Sequence, residues 1–78
     1  MKIKTKTQFI EEQIVKYNFS KKSFSMRAHI SYCYFVSLLS NKKSPGFRTR
    51  QKILNTLVAI SATAIYFDEV FEIVEENQ

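Results

Sequence analysis

Glycine, proline, cysteine and histidine each occur once in this 78-residue chain, and tryptophan does not occur at all. With Gly46 next to Pro45 as the only such punctuation, a sheet of many short strands has too few turn signals, so helices dominate the expectation. Cys33 alone excludes an intramolecular disulfide framework, and together with the single His29 it leaves no Cys/His cluster for zinc. The longest uncharged run, Ile53 to Phe67, is too short and too rich in Asn, Thr and Ser for a bilayer span. The opening Met-Lys-Ile-Lys-Thr-Lys-Thr has no apolar signal-peptide core. Paired carboxylates, a Gly-rich phosphate loop and a Ser/His/Asp arrangement are lacking too. A soluble cytoplasmic protein is expected, without metal or cofactor and without enzymatic activity.

Charge, in contrast, is plentiful and unevenly placed. All 12 Lys and Arg lie within residues 1–52, opposed there only by Glu11 and Glu12, so that stretch carries +10. Residues 53–78 hold Asp68, Glu69, Glu72, Glu75 and Glu76 and carry −5. The formal net charge of +5 therefore hides a basic body and an acidic tail. A basic body is the electrostatic footprint of a chain that lands on phosphate. A core of this size is marginally stable on its own, which makes a second copy a plausible supplement.

One domain over residues 1–78 is expected, with four to five helices. Thr5 followed by Gln8 fits a capping box for a first helix in which Phe9, Ile10, Ile14 and Tyr17 recur at helical spacing. Residues 1–6 before it are expected as a flexible basic arm. Ser20 is a good N-cap for a second helix with Phe24 and Ala28 inward, and Ser31 caps a third with Phe35, Leu38 and Leu39 inward. The two are separated by about two residues, the spacing of a helix-turn-helix at about 20–40. Pro45 bars the third helix from continuing, and Gly46 can cap a fourth with Phe47, Ile53, Leu54, Leu57, Val58 and Ile60 as its apolar set. From Tyr66 to Val74 a short helix, a strand, or one followed by the other are all open, because periodicity cannot decide over so few residues.

The register of Phe19, Ser20, Lys21, Phe24 and Ser25, then His29, Ile30 and Ser31, then Phe35 and Leu38, then Ser40-Asn41-Lys42-Lys43-Ser44-Pro45 resembles the lambda-repressor and Cro type of helix-turn-helix, the XRE-like group of phage and bacterial regulators. Phe67-Asp68-Glu69-Val70-Phe71 resembles the ending of many such proteins. The pattern departs in having His29 where the family favours Gly. It departs again in having Ser25 as the small residue between helices, and in a fourth helix about six residues longer than usual. His tolerates a positive φ better than branched residues, and the Ser25 hydroxyl can bond back to its helix.

The resemblance implies an all-α, compact lambda-repressor-like domain that binds a double-stranded DNA operator as a homodimer. The third helix would enter the major groove, offering Tyr32, Cys33, Val36 and Ser37 to base edges, with Tyr34 at the margin. None of these can make a bidentate hydrogen bond to a base, so direct readout is expected to be weak and partly apolar. Lys21, Lys22, Lys42, Lys43, Arg48 and Arg50 would contact phosphate, with Lys16 and Lys52 as bystanders. Phe67, Val70, Phe71 and Ile73 in the acidic segment 66–78 are candidates for dimerisation. Cys33 lacks a partner or basic activator for redox work, and His29 reads as a turn residue. The competing expectation is an antirepressor on the same fold, which would dock on a phage repressor protein and block its DNA-binding face. A helical interaction module with neither role is the plainest option.

Overall fold

The computed structural model describes residues 2–75. Its elements run β1 (Lys2–Thr5), α1 (Thr7–Lys16), α2 (Lys21–Arg27), α3 (Tyr32–Leu39), α4 (Phe47–Ser61), α5 (Phe67–Val70) and β2 (Phe71–Val74). The chain is mostly helical, with one small two-stranded sheet.

Helices α2 and α3 begin at serine caps, as their sequences dictate. The Ser20 side chain accepts the Ser23 backbone N–H at 3.0 Å while Ser23 Oγ accepts the Ser20 N–H at 2.8 Å, a reciprocal capping box. Ser31 Oγ accepts the Tyr34 N–H at 3.2 Å. Gly46 starts α4 in an extended conformation.

Helix ends show how a chain with one glycine makes tight stops. Asn18, His29, Asn41 and Ala62 all take positive φ, between 58° and 63°. After α2, the His29 N–H bonds Met26 O and the Ile30 N–H bonds Ser25 O. After α3, Asn41 and Lys42 repeat the pattern on Leu38 O and Ser37 O, and after α1, Asn18 and Phe19 do so on Val15 O and Ile14 O. Each pair satisfies two of the carbonyls a helix end leaves open. Asn and His bear the left-handed geometry at modest cost, whereas Ala62 has no side-chain compensation for it.

The core gathers Ile10 and Ile14 of α1, Phe24 and Ala28 of α2, Phe35, Leu38 and Leu39 of α3, Ile53 and Leu57 of α4, Ile30, Val70 and Phe71. Phe24 and Phe35 stack with centroids 5.3 Å apart and lock α2 to α3. Ser25 is fully buried between them, and its hydroxyl donates to Lys22 O at 2.7 Å. On α4, Leu54 and Ile60 are half-buried, but Phe47 and Val58 are exposed, against the inward places expected of them.

Both ends of the chain depart from expectation. Residues 2–5 are not a free arm. Lys2, Ile3, Lys4 and Thr5 pair antiparallel with Val74, Ile73, Glu72 and Phe71. The alternation that reads as a charged tail is the period of a strand whose Lys side faces solvent. Thr5 consequently does not cap α1. The helix starts at Thr7, after Lys6, with no side-chain cap. The C-terminal segment is a one-turn helix followed by a strand. Val70 and Phe71 are 0% and 1% exposed within this one chain, which corrects their assignment as dimer contacts: they are core residues. Phe67 is half-buried against Phe71, with centroids 5.4 Å apart, and Ile73 is 53% exposed.

The Thr5 hydroxyl is buried and makes no hydrogen bond among the described residues. Thr5→Val keeps the β-branched shape and removes an unsatisfied polar group, so it is expected to raise unfolding stability by about 1 kcal/mol. Urea denaturation followed by circular dichroism measures it, and a loss of stability would mean that the hydroxyl has a partner.

Candidate nucleic-acid interface

Burying Phe35, Leu38 and Leu39 leaves the opposite side of α3 facing out. Tyr32 is 47% exposed, Val36 38%, and Cys33 is exposed. Tyr34 is half-buried at the margin, with the Lys43 ammonium 5.8 Å from its ring centroid. Ser37 is half-buried and its hydroxyl donates to Cys33 O at 3.1 Å, so its hydrogen is already used within the helix. The outward face therefore offers one phenol, one thiol and one isopropyl group.

The cations fall into two groups. Lys22, Lys42, Lys43 and Arg48 are exposed, and none has a carboxylate partner among the described residues. The loop bearing Lys42 and Lys43 is fastened to the end of α3, where the Lys42 N–H bonds Ser37 O at 3.0 Å. The Lys43 N–H also lies 3.4 Å from Ser37 O, and its ammonium sits over the Tyr34 ring of the same helix, a weak contact for an exposed side chain. The second group is engaged within the chain. Lys21 pairs with Glu11 at 3.3 Å, a contact between half-exposed side chains that contributes little and that an anion can displace. Arg50 donates from Nη1 to Pro45 O at 3.0 Å and its guanidinium lies 6.0 Å from the ring centroids of both Phe47 and Phe67. These contacts tie the start of α4 to α5 through a guanidinium that stays partly exposed. Lys52 donates to His29 O at 3.2 Å and closes the end of α2. Lys16 lies 5.5 Å from the Tyr17 ring centroid. Neither joins the interface.

Two polar residues matter here that the sequence did not single out for a role in the site. Asn41 and Ser44, on either side of Lys42-Lys43, reach across to the backbone of β1. Their signal in the sequence is their place in the Ser40-to-Pro45 stretch of the helix-turn-helix register, which gives no hint of a contact with residues 3 and 5.

No group of His, Cys, Asp and Glu able to hold a metal ion occurs among the described residues. No described helix is long and apolar enough to cross a membrane. Neither a protein-family model nor a curated protein nor a solved structure matches the chain.

Proposed function

We propose that this chain is a small sequence-specific DNA-binding transcriptional regulator, a Cro-like repressor of a phage or mobile element, with α3 in the major groove of its operator. The observation that carries the reading is the outward face of α3 with the loop of Lys42 and Lys43 fastened beside it, both lysines exposed and without carboxylate partners among the described residues. Unpaired cations beside an exposed helix suit a phosphate backbone, which fixes register while the helix meets base edges. Tyr32 can reach a base edge or phosphate through its hydroxyl, and Val36 and Cys33 can pack on thymine methyl groups.

Self-association follows the same proposal with a smaller contact than four tail residues. The amide of Lys6 bonds Val70 O, and the backbone groups of Ile3 and Thr5 bond Ser44 and Asn41, so it is the backbone N–H and C=O groups of Lys2 and Lys4 that face β2. Ile73, opposite Ile3, therefore turns its own N–H and C=O to the outer edge of β2, beside its exposed side chain. An open edge of this kind accepts another strand, and a second copy of β2 is the simplest occupant.

The test of phosphate contact is a mobility shift of the purified protein on DNA from its own promoter region across a salt series. Replacing Lys42 and Lys43 together by Ala is expected to weaken binding alike at all sequences and to make the salt slope shallower by about 2. An unchanged slope with an intact fold sinks the phosphate-loop assignment.

A second reading is favoured by one specific observation: the outward face of α3 holds no side chain capable of a bidentate base contact. An apolar helix face of this kind suits a protein partner, and the chain is then an antirepressor that docks on a repressor and blocks its DNA-binding face. Adding the neighbouring repressor to the mobility shift separates the two readings. The regulator binds DNA alone, and the antirepressor removes the repressor from its DNA.

A further inference from the structure

We infer that Asn41 and Ser44 clamp the basic loop onto β1, so that Lys4 of the strand joins Lys42 and Lys43 of the loop in one phosphate-binding surface. This rests on the DNA-binding reading and adds to it a strand, a positioning device and a third cation.

The clamp consists of four hydrogen bonds between residues far apart in sequence. The Thr5 N–H donates to Asn41 Oδ1 at 2.9 Å, and Asn41 Nδ2 donates to Thr5 O at 3.3 Å. The Ile3 N–H donates to Ser44 Oγ at 3.2 Å, and that hydroxyl donates to Ile3 O at 2.8 Å. Two side chains thus occupy the places on β1 that a third strand would fill with its backbone. Thr7 Oγ1 adds a tie to Leu39 O at 2.6 Å, which joins the start of α1 to the end of α3. The edge of β1 is thereby covered, and the loop is held at two points.

What lies between the two points is charge. Lys42 and Lys43 separate Asn41 from Ser44, and Lys4 separates Ile3 from Thr5, so the four bonds set the three lysines on adjoining backbone segments. All three are exposed, and no carboxylate pairs with any of them among the described residues. Glu72 is the register partner of Lys4 on β2 and makes no ion pair with it. Like charges gathered in this way oppose folding unless an anion neutralises them, and DNA phosphate is the anion that the neighbouring helix face calls for.

Clamping also serves binding directly. A loop whose backbone is already fixed beside α3 loses less freedom when it meets DNA than a mobile one does. The Asn41 side chain suits the task because its residue closes α3 in the left-handed region, at φ 59°, where Asn is tolerated. One residue stops the helix and anchors the loop.

The experiment measures affinity for promoter DNA and for an unrelated duplex over a salt series, with three proteins: wild type, Lys4→Gln, and the double variant Asn41→Gly with Ser44→Ala. Glycine keeps the positive φ and removes only the amide. Lys4→Gln is expected to lower the salt slope by about 1 on both DNAs, since each phosphate contact releases roughly 0.9 of a counterion. The double variant is expected to keep its helical circular dichroism, to bind about tenfold more weakly and to lose up to about 2 units of slope as Lys42 and Lys43 disengage. A merely structural tie would lower the melting temperature and leave the slope of the folded protein unchanged, which overturns the clamp. Lys4→Gln with the wild-type slope overturns the shared surface, and this exposed substitution decides the matter even where the double variant does not fold. A wild-type protein that binds neither DNA overturns the functional reading as a whole, a result distinct from binding that ignores Lys4.

Discussion

Phe71→Ala is expected to remove about 3–5 kcal/mol of folding stability, although Phe71 lies in the acidic tail rather than among the central helices. Its ring is buried and packs on Phe67, and Val70 beside it is completely enclosed. Truncating a buried Phe to Ala costs about 3–5 kcal/mol. A domain of this length holds roughly 4–12 kcal/mol in total, so the loss takes a large share of what keeps it folded. Urea denaturation at several protein concentrations reads the effect. If the tail served only to join two copies, the variant would instead be a folded monomer with unchanged unfolding at low concentration. Ile73→Lys supplies the contrast. That side chain is half in solvent, so stability should hold while any self-association seen by sedimentation is lost.

Val36→Arg is expected to have the largest effect on function, and the direction of the effect separates the two readings. Val36 sits at the centre of the outward face of α3 and is partly exposed, so the substitution is compatible with the fold. On DNA, a guanidinium in place of an isopropyl group favours guanine and phosphate, so the preferred sites change while nonspecific affinity is kept. On a repressor, the same charge is buried without a partner, at a cost of several kcal/mol, and the complex is abolished. Binding-site selection and a pull-down with the neighbouring repressor read the two outcomes. A variant that retains both its site preference and its partner counts against α3 as the functional face.

How far the sequence could be read depends on how locally each feature is determined. Ser20 and Ser31 act on amides three residues away, and Phe24 and Phe35 follow a helical period, so α2 and α3 lie where these signals place them. The positive φ of His29 and the bonding of the Ser25 hydroxyl back to Lys22 O were also legible, since both concern their own helix. Thr5 and Gln8 misled because a capping box is a short pattern. The Thr5 backbone is claimed by Asn41, and helix α1 begins two residues later. Lys-Ile-Lys-Thr has the period of a strand, but only a partner at the other end of the chain makes it one. Val70 and Phe71 are evidently apolar, yet composition cannot say whether such residues cover their own core or another copy's. Among the cations, Lys42 and Lys43 stand as loop charges, while the roles of Arg50 and Lys52 emerge only from the aromatic rings and carbonyl they meet in three dimensions.

Pairing the first strand with the last also governs when the domain can form. The five helices between them are each built from local contacts, which assemble quickly, whereas β1 and β2 meet only after nearly the whole chain is available. On a ribosome, β1 emerges first and waits until residues 71–74 follow it out of the exit tunnel. Until then Thr5, which contacts both β2 and the loop after α3, lacks half of its partners, and the core lacks Val70 and Phe71. Closing so long a loop is slow but adds only modest entropy per doubling of length, so the penalty falls on rate rather than on final stability. The loop anchored by Asn41 and Ser44 would until then rest on a strand whose other edge is unpaired, leaving a translated but unfinished chain without support at the very surface by which the finished one is proposed to act.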